Sequence, residues 1–248
     1  MKIISVANQK GGVGKTTSVI NMGAGLRSLG KRVLLIDLDP QSNLTYSLGL
    51  TQKIDKTVLD ILKGEARAGE VVIYKDGLYI IPSSINLSGA DIELSTITGR
   101  ELLLKEALRD VKGMDYIFID CSPSLGLLTL NAFTVANEVY IPLQTEYLAL
   151  QGLNALIKTI DLVKARVNGN LNITGVIATR YDKRKLLNKE VVEAIKNKFK
   201  DKLFNTFIRD NIALAEAPSF GQDIFTYRPN SNGAKDYLNL CKEIIERS

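Results

Sequence analysis

A glycine-rich loop near the N-terminus constrains this chain more than any other feature. The apolar run at 2–7 passes into Asn8-Gln9-Lys10-Gly11-Gly12-Val13-Gly14-Lys15-Thr16-Thr17, and a helix-forming stretch at 15–29 follows. A strand, a glycine loop and a helix in that order gather backbone N–H groups and a helix N-terminus around one anion. Glycine is needed at Gly11, Gly12 and Gly14 because side chains would hold the backbone away from a phosphate. In such a loop Lys15 reaches the β- and γ-phosphates of a nucleotide and the Thr16 hydroxyl ligates Mg²⁺, with Val13 and Thr17 completing the cradle. The loop departs from the general phosphate-loop pattern at Gln9, where glycine is usual, and adds a second cation, Lys10. Five residues before Lys15, that cation cannot easily point at the same phosphates from the same side. A nucleotide held by another subunit is its natural target.

Along the rest of the chain, short β-branched runs alternate with longer amphipathic stretches, the pattern of βαβ units. Strands are expected at 2–7, 32–36, 78–81, 116–119, 138–142, 173–179 and 203–208. Helices are expected at 15–29, 100–111, 125–136, 149–166, 189–199 and 233–246, with Gly30 stopping the first. Val33-Leu34-Leu35-Ile36 and Ile117-Phe118-Ile119 are apolar at consecutive positions, as in strands covered by helices on both sides. The expected class is therefore α/β: a doubly wound, mainly parallel sheet with helices on both faces, of P-loop NTPase type, with 1–248 as one domain.

Composition removes several alternatives. Cys121 and Cys241 are too few for a disulfide framework and fit a reducing compartment. No apolar run reaches the roughly 20 residues that span a bilayer, and the N-terminal stretch is too short for a signal peptide. A soluble, cytoplasmic protein is expected. Positive charge is concentrated at 158–209, with 13 Lys/Arg against 5 Asp/Glu, which leaves the remainder slightly acidic. A polyanion-facing surface has that composition, and so does a solvated helix face.

The segment Lys10-Gly11-Gly12-Val13-Gly14-Lys15-Thr16-Thr17 resembles the deviant Walker A box of the ParA/MinD family. Asp37-Leu38-Asp39-Pro40-Gln41 is similar to that family's next motif, and Ile119-Asp120-Cys121-Ser122-Pro123 to its Walker B region. Glu216-Ala217-Pro218-Ser219-Phe220-Gly221 resembles the ParA/Soj branch, and the likeness extends over residues 2–246. It implies an ATPase, weak alone and stimulated by a partner, with ATP and Mg²⁺ as cofactors. It also implies that Lys10 crosses an ATP-bridged homodimer and that Asp39 orients the attacking water, which with Lys15 makes the catalytic set. Asp37 is left as structural or supporting. Asp120 ends a buried strand, where a carboxylate is costly without a cation, so it is expected to hold Mg²⁺ through water beside Thr16.

Soj-like chains read adenine with a stretch written Pro-Arg-Asn-x-Arg; here it is Arg209-Asp210-Asn211-Ile212-Ala213. Arg209 and Asn211 become the candidate base contacts, and two usual arginines are replaced by Asp210 and Ala213. Such proteins bind DNA without sequence preference, which requires only a basic face meeting phosphates. Arg180, Lys183, Arg184 and Lys185 are the candidates, and Arg184 aligns with a DNA-contacting arginine of that branch. The resemblance implies a nucleoid-associated switch with a ParB-like centromere-binding partner and a chromosome, plasmid or other large cargo.

Three other readings fit less well. A MinD-like membrane switch needs a basic amphipathic helix beyond the core, whereas the segment at 234–246 reads as core-packing, so no membrane partner is expected. A nitrogenase-like iron–sulfur protein needs two suitably placed cysteines, and Cys241 lies in the terminal helix. A pure binding adaptor has no use for Asp39. With strand 2–7 at the very start, no DNA-reading extension is expected, and hence no self-repression at an operator.

Overall fold

In the computed structural model, which describes residues 1–52, 54–147 and 149–247, seven strands form one sheet. They are β1 (Lys2–Val6), β2 (Val33–Leu38), β3 (Ile73–Lys75), β4 (Leu78–Ile81), β5 (Tyr116–Cys121), β6 (Glu138–Gln144) and β7 (Asn172–Thr179). The order across the sheet is β3-β4-β2-β5-β1-β6-β7, all parallel except β3. From β1 the chain moves to one side for β2 and later returns to the other side for β6. The carboxyl end of β1 is thus the switch point at which open α/β sheets bind ligands.

Alternation along the strands sends side chains into two cores. Ile3, Leu34, Ile36, Ile117, Ile119 and Ile141 enter one, and Ile4, Val6, Leu35, Phe118 and Tyr140 the other. The helices Leu127–Val135, Leu153–Arg166 and Leu186–Phe199 close the first face, while Lys15–Ser28 and Asn232–Glu246 close the second. The consecutive apolar positions of β2 and β5 are accounted for by this double coverage.

Helix Lys15–Ser28 lies between the sheet and the terminal helix, and everything from Ser18 to Leu26 is buried. Its glycines allow that approach: a Cβ at Gly23 would stand 2.7 Å from Leu35, and one at Gly25 2.6 Å from the Cys241 sulfur. Gly30 ends the helix as expected, with φ 79°; its N–H donates to Arg27 C=O and the Lys31 N–H to Leu26 C=O, a Schellman cap.

Besides adding short helices such as Asn43–Ser47 and Val58–Leu62, the structure departs from the expected elements as follows. The stretch 203–208 does not form a strand. Phe204 and Ile208 donate to β7 carbonyls, but the amides of Asn205 and Thr206 turn to the Glu243 carboxylate at 2.8 and 3.0 Å, which breaks the ladder. Helix 100–111 is reduced to a 3₁₀ turn, Arg100–Leu102, and one helical segment, Leu103–Ala107. Finally, β3 joins β4 through Asp76-Gly77, both with positive φ, as a type I′ hairpin requires. That Asp-Gly pair was the available signal.

Candidate functional site

Sheet register assembles the site. Parallel pairing aligns Asp37 of β2 with Asp120 of β5, and Val6 of β1 with the same Asp120. The loops after β1, β2 and β5 therefore leave from one edge. The first of them is open: Gly12 and Gly14 have φ of 73° and 89°, and among the described residues no heavy atom beyond the chain neighbours lies within 4 Å of a Cβ built at Gly11 or Gly12. Positive φ accounts for two of the three glycines and open space for the third. Two side chains from neighbouring strands hold the loop in place, Gln144 donating to Gly12 C=O at 2.6 Å and Thr179 to Val13 C=O at 2.9 Å.

A cleft of about 400 Å³ lies over this loop. Gly11, Gly12, Gly14, Lys15, Thr16 and Thr17 line it, as do Asp39, Gln41 and Pro123, while Leu214, Ala217, Pro218 and Gln222 supply a further wall. Lys15 is buried, with Nζ 3.5 Å from the Lys10 carbonyl. Thr16 Oγ1 donates to Asp120 Oδ2 at 2.7 Å, whereas Asp120 Oδ1 is buried and has no hydrogen-bond partner among the described residues. Burial, followed by the charge of nearby Asp37, holds the Asp120 carboxyl well above its ordinary value. An orphaned carboxylate oxygen beside a threonine hydroxyl and a phosphate-sized cradle is a donor set that fits hydrated Mg²⁺.

Asp37 is a different kind of carboxylate. It accepts from the Thr45 amide and hydroxyl at 2.9 and 2.6 Å and from the Asp39 amide at 3.2 Å, so its side chain is committed to structure. Burial pushes its pKa up to about 6 against the Thr45 hydrogen bonds. Asp39 is buried yet borders the cleft, and its Oδ1 accepts from the Gln41 amide at 2.9 Å. The Cys121 thiol, pushed far up by burial, belongs to one core and Cys241 to the other.

Several expected residues stand apart from the cleft. Lys10 Nζ pairs with Glu146 at 3.3 Å, and both side chains are partly exposed. Arg209 turns away into a bidentate pair with Asp236, the shortest contact being 2.6 Å, and its guanidinium charge is reinforced there. Asn211 Oδ1 caps the short helix Ile212–Glu216 through the Ala213 amide. Among the described residues, the cleft is walled on that side by Leu214, Ala217 and Pro218 instead. Sequence reasoning gave these no place in the cleft, although Ala217 and Pro218 lie within the motif Glu216–Gly221; Leu214, outside any motif, carried no signal.

The basic residues lie together after β7. Arg180, in a positive-φ conformation, sits 3.6 Å from Asp210, and Arg184 forms a bidentate pair with its own neighbour Asp182 at 3.0 and 2.9 Å. The Arg184 hydrogen bonds lower the Asp182 pKa to about 2. Lys183 and Lys185 complete the loop, and Lys185 precedes helix Leu186–Phe199.

Comparison with known proteins agrees with this geometry. The model of a family described as AAA domain matches residues 1–173. The sporulation initiation inhibitor protein Soj of Bacillus subtilis is 48% identical over 247 residues, covering 98% of both chains. The chromosome-partitioning ATPase Soj of Treponema pallidum is 48% identical over 249 residues, covering 99% of this chain and 98% of its own. Among solved structures, cobyrinic acid a,c-diamide synthase from Mycobacterium smegmatis with bound ATP analog and magnesium superposes with a TM-score of 0.88 at 35% identity. That superposition covers 100% of this chain and 95% of the other.

Proposed function

The chain belongs to the ParA/Soj family of P-loop partition ATPases, and from that premise we propose that it is an ATP-driven dimerising switch that rides on DNA. It takes ATP and Mg²⁺ in the cleft over Gly11–Thr17 and hydrolyses ATP slowly. The observation that carries this reading is the Asp120 carboxylate, half paired with Thr16 and half orphaned, beside a glycine cradle. When bound, Mg²⁺ supplies charge neutralisation on the phosphate oxygens. Lys15 adds a buried positive charge against the phosphates, and loop N–H groups replace their water. Asp39 borders the same cleft and orients the attacking water, since phosphoryl transfer needs positioning and charge neutralisation more than covalent help.

Lys10 crosses to the nucleotide of a second subunit. Its partly exposed position, with Glu146 as its salt-bridge partner among the described residues, supports that role: exposed pairs are worth little in water, so the lysine is easily released to a phosphate. Lys10→Ala is expected to weaken ATP-dependent dimerisation by at least about tenfold while leaving ATP binding in place. Sedimentation velocity with ATP against ADP reads this out, and an unchanged dimer would remove the sandwich model.

The dimer then holds DNA through Arg180, Lys183, Arg184 and Lys185, moving chromosome, plasmid or another large cargo with a ParB-type partner, and so associates with the nucleoid. Arg184 is the most accessible of the paired cations, with 84% of its side chain exposed. DNA phosphates have to displace Asp182 and Asp210 from the two arginines, which lowers affinity without preventing binding. Arg184→Glu is expected to weaken binding to all duplex sequences alike and to reduce the salt slope by about one to two units. Fluorescence anisotropy at several salt concentrations, with ATP, ADP or no nucleotide, tests both points. Absence of ATP-dependent binding by the unmodified protein would favour a protein scaffold over DNA.

A further inference from the structure

Asp39 is gripped from both sides by residues that never reach the cleft. Its amide donates to Asp37 Oδ1 at 3.2 Å, and its carbonyl accepts from Ser83 Oγ at 2.9 Å. Those two anchors are themselves tied together. Thr45 Oγ1 donates to Asp37 Oδ2 at 2.6 Å and accepts from the Ser83 amide at 2.9 Å, while the Thr45 amide adds a bond of 2.9 Å to the same Oδ2. The result is a closed ring of hydrogen bonds, Asp39–Asp37–Thr45–Ser83–Asp39, in which every member is buried. Three separate pieces of chain contribute: the end of β2, the short helix Asn43–Ser47 and the loop leaving β4.

A buried polar ring of this kind is expensive to desolvate unless every group is paired, and apolar side chains would stabilise the core more cheaply. Its geometric effect is to fix both peptide groups flanking the Asp39 side chain. Thr45 and Ser83 are absent from the lining of the cleft and their hydrogen bonds reach it through Asp39; Asn43 and Ser47 of the same short helix do line it, so nucleotide affinity is read beside the rate.

We propose that Ser83 and Thr45 are positioning residues for ATP hydrolysis, holding the Asp39 main chain so that its carboxylate meets the water and γ-phosphate. The inference rests on the role of Asp39 given above. A shift of the carboxylate by a fraction of an ångström degrades the attack geometry while leaving the phosphate cradle, on a different loop, intact.

The test is a cycle of variants in the full-length chain: Ser83→Ala, Asp39→Ala and the double variant, with Thr45→Val and Thr45→Ser alongside. Each is measured for single-turnover hydrolysis of γ-labelled ATP with saturating Mg²⁺, for affinity towards a fluorescent ATP analogue, and for thermal midpoint. Ser83→Ala and Thr45→Val are expected to slow the chemical step by about tenfold with analogue affinity changed less than about twofold. Thr45→Ser keeps the hydroxyl and is expected to restore the rate, which a loss of packing at the missing methyl would not allow. In the Asp39→Ala background, Ser83→Ala should produce no further slowing, because the two act on one group. Equal slowing by Ser83→Ala in both backgrounds overturns the proposal, as does a normal rate in Ser83→Ala and Thr45→Val when Asp39→Ala is slow. A normal rate in Asp39→Ala itself removes the underlying assignment, and the positioning role with it. Should Ser83→Ala not fold, the contrast between Thr45→Val and Thr45→Ser decides alone.

Discussion

Asp39→Ala is expected to lower ATP turnover by about 100-fold or more while the protein still binds ATP. The asymmetry follows from where the side chain sits. The cleft wall that carries Asp39 is separate from the loop Gly11–Thr17 and from the Thr16–Asp120 pair, so truncation removes nothing that holds phosphate. What it removes is the buried carboxylate that borders the cleft and is held rigidly by its neighbours. A variant that binds but does not hydrolyse also gains time in the ATP state, so its DNA-bound fraction should rise. Phosphate release by a coupled assay, together with analogue titration, measures both halves. Normal turnover would place the water-orienting group elsewhere in the cleft.

The second large effect concerns Asp120. Asp120→Asn should abolish the Mg²⁺-dependent part of ATP affinity and reduce turnover by about 10- to 100-fold. The same variant should make the nucleotide-free protein more stable. In the native site one oxygen of this fully buried carboxyl has no hydrogen-bond partner among the described residues, and Asp37 lies in register beside it. An amide keeps the size and the bond to Thr16 but carries no charge to desolvate, so the folded state gains relative to the unfolded one. The sign with pH follows from the raised pKa. Below the ordinary value of 3.8 the carboxyl is protonated folded or unfolded and costs nothing. As pH rises through that value the unfolded chain ionises while the folded protein resists, so wild-type stability falls and the advantage of asparagine grows. Thermal unfolding of both proteins between acidic and neutral pH checks the trend, and a less stable variant at neutral pH would contradict it.

Legibility in the sequence followed locality. The phosphate loop could be read directly, because each glycine answers a demand made within eight residues: positive φ at Gly12 and Gly14, open space at Gly11. Helix Lys15–Ser28 and its stop at Gly30 were legible for the same reason. Consecutive apolar residues in β2 and β5 announced double coverage, and with it the α/β class. The segment 203–208 has the composition of a strand but loses two amides to Glu243, some 38 residues away, and composition carries no trace of that competition. The hairpin at Asp76-Gly77 was written locally and could have been read.

The motifs pointed to the nucleotide-binding class and to a family resemblance, and the alternation of apolar runs to a mainly parallel sheet. Contacts among those motifs belong to the fold. Asp37 and Asp120 are 83 positions apart and become neighbours only because β2 lies beside β5, which makes one of them a structural anchor and leaves the other with a free oxygen. Ser83 comes under Asp39 because β4 borders β2, and Arg209 is drawn to Asp236 because the terminal helix packs alongside. Residue types state which chemistry is possible. Which carboxylate is satisfied, and which still needs a cation, depends on pairings between distant segments that only the packed sheet brings together.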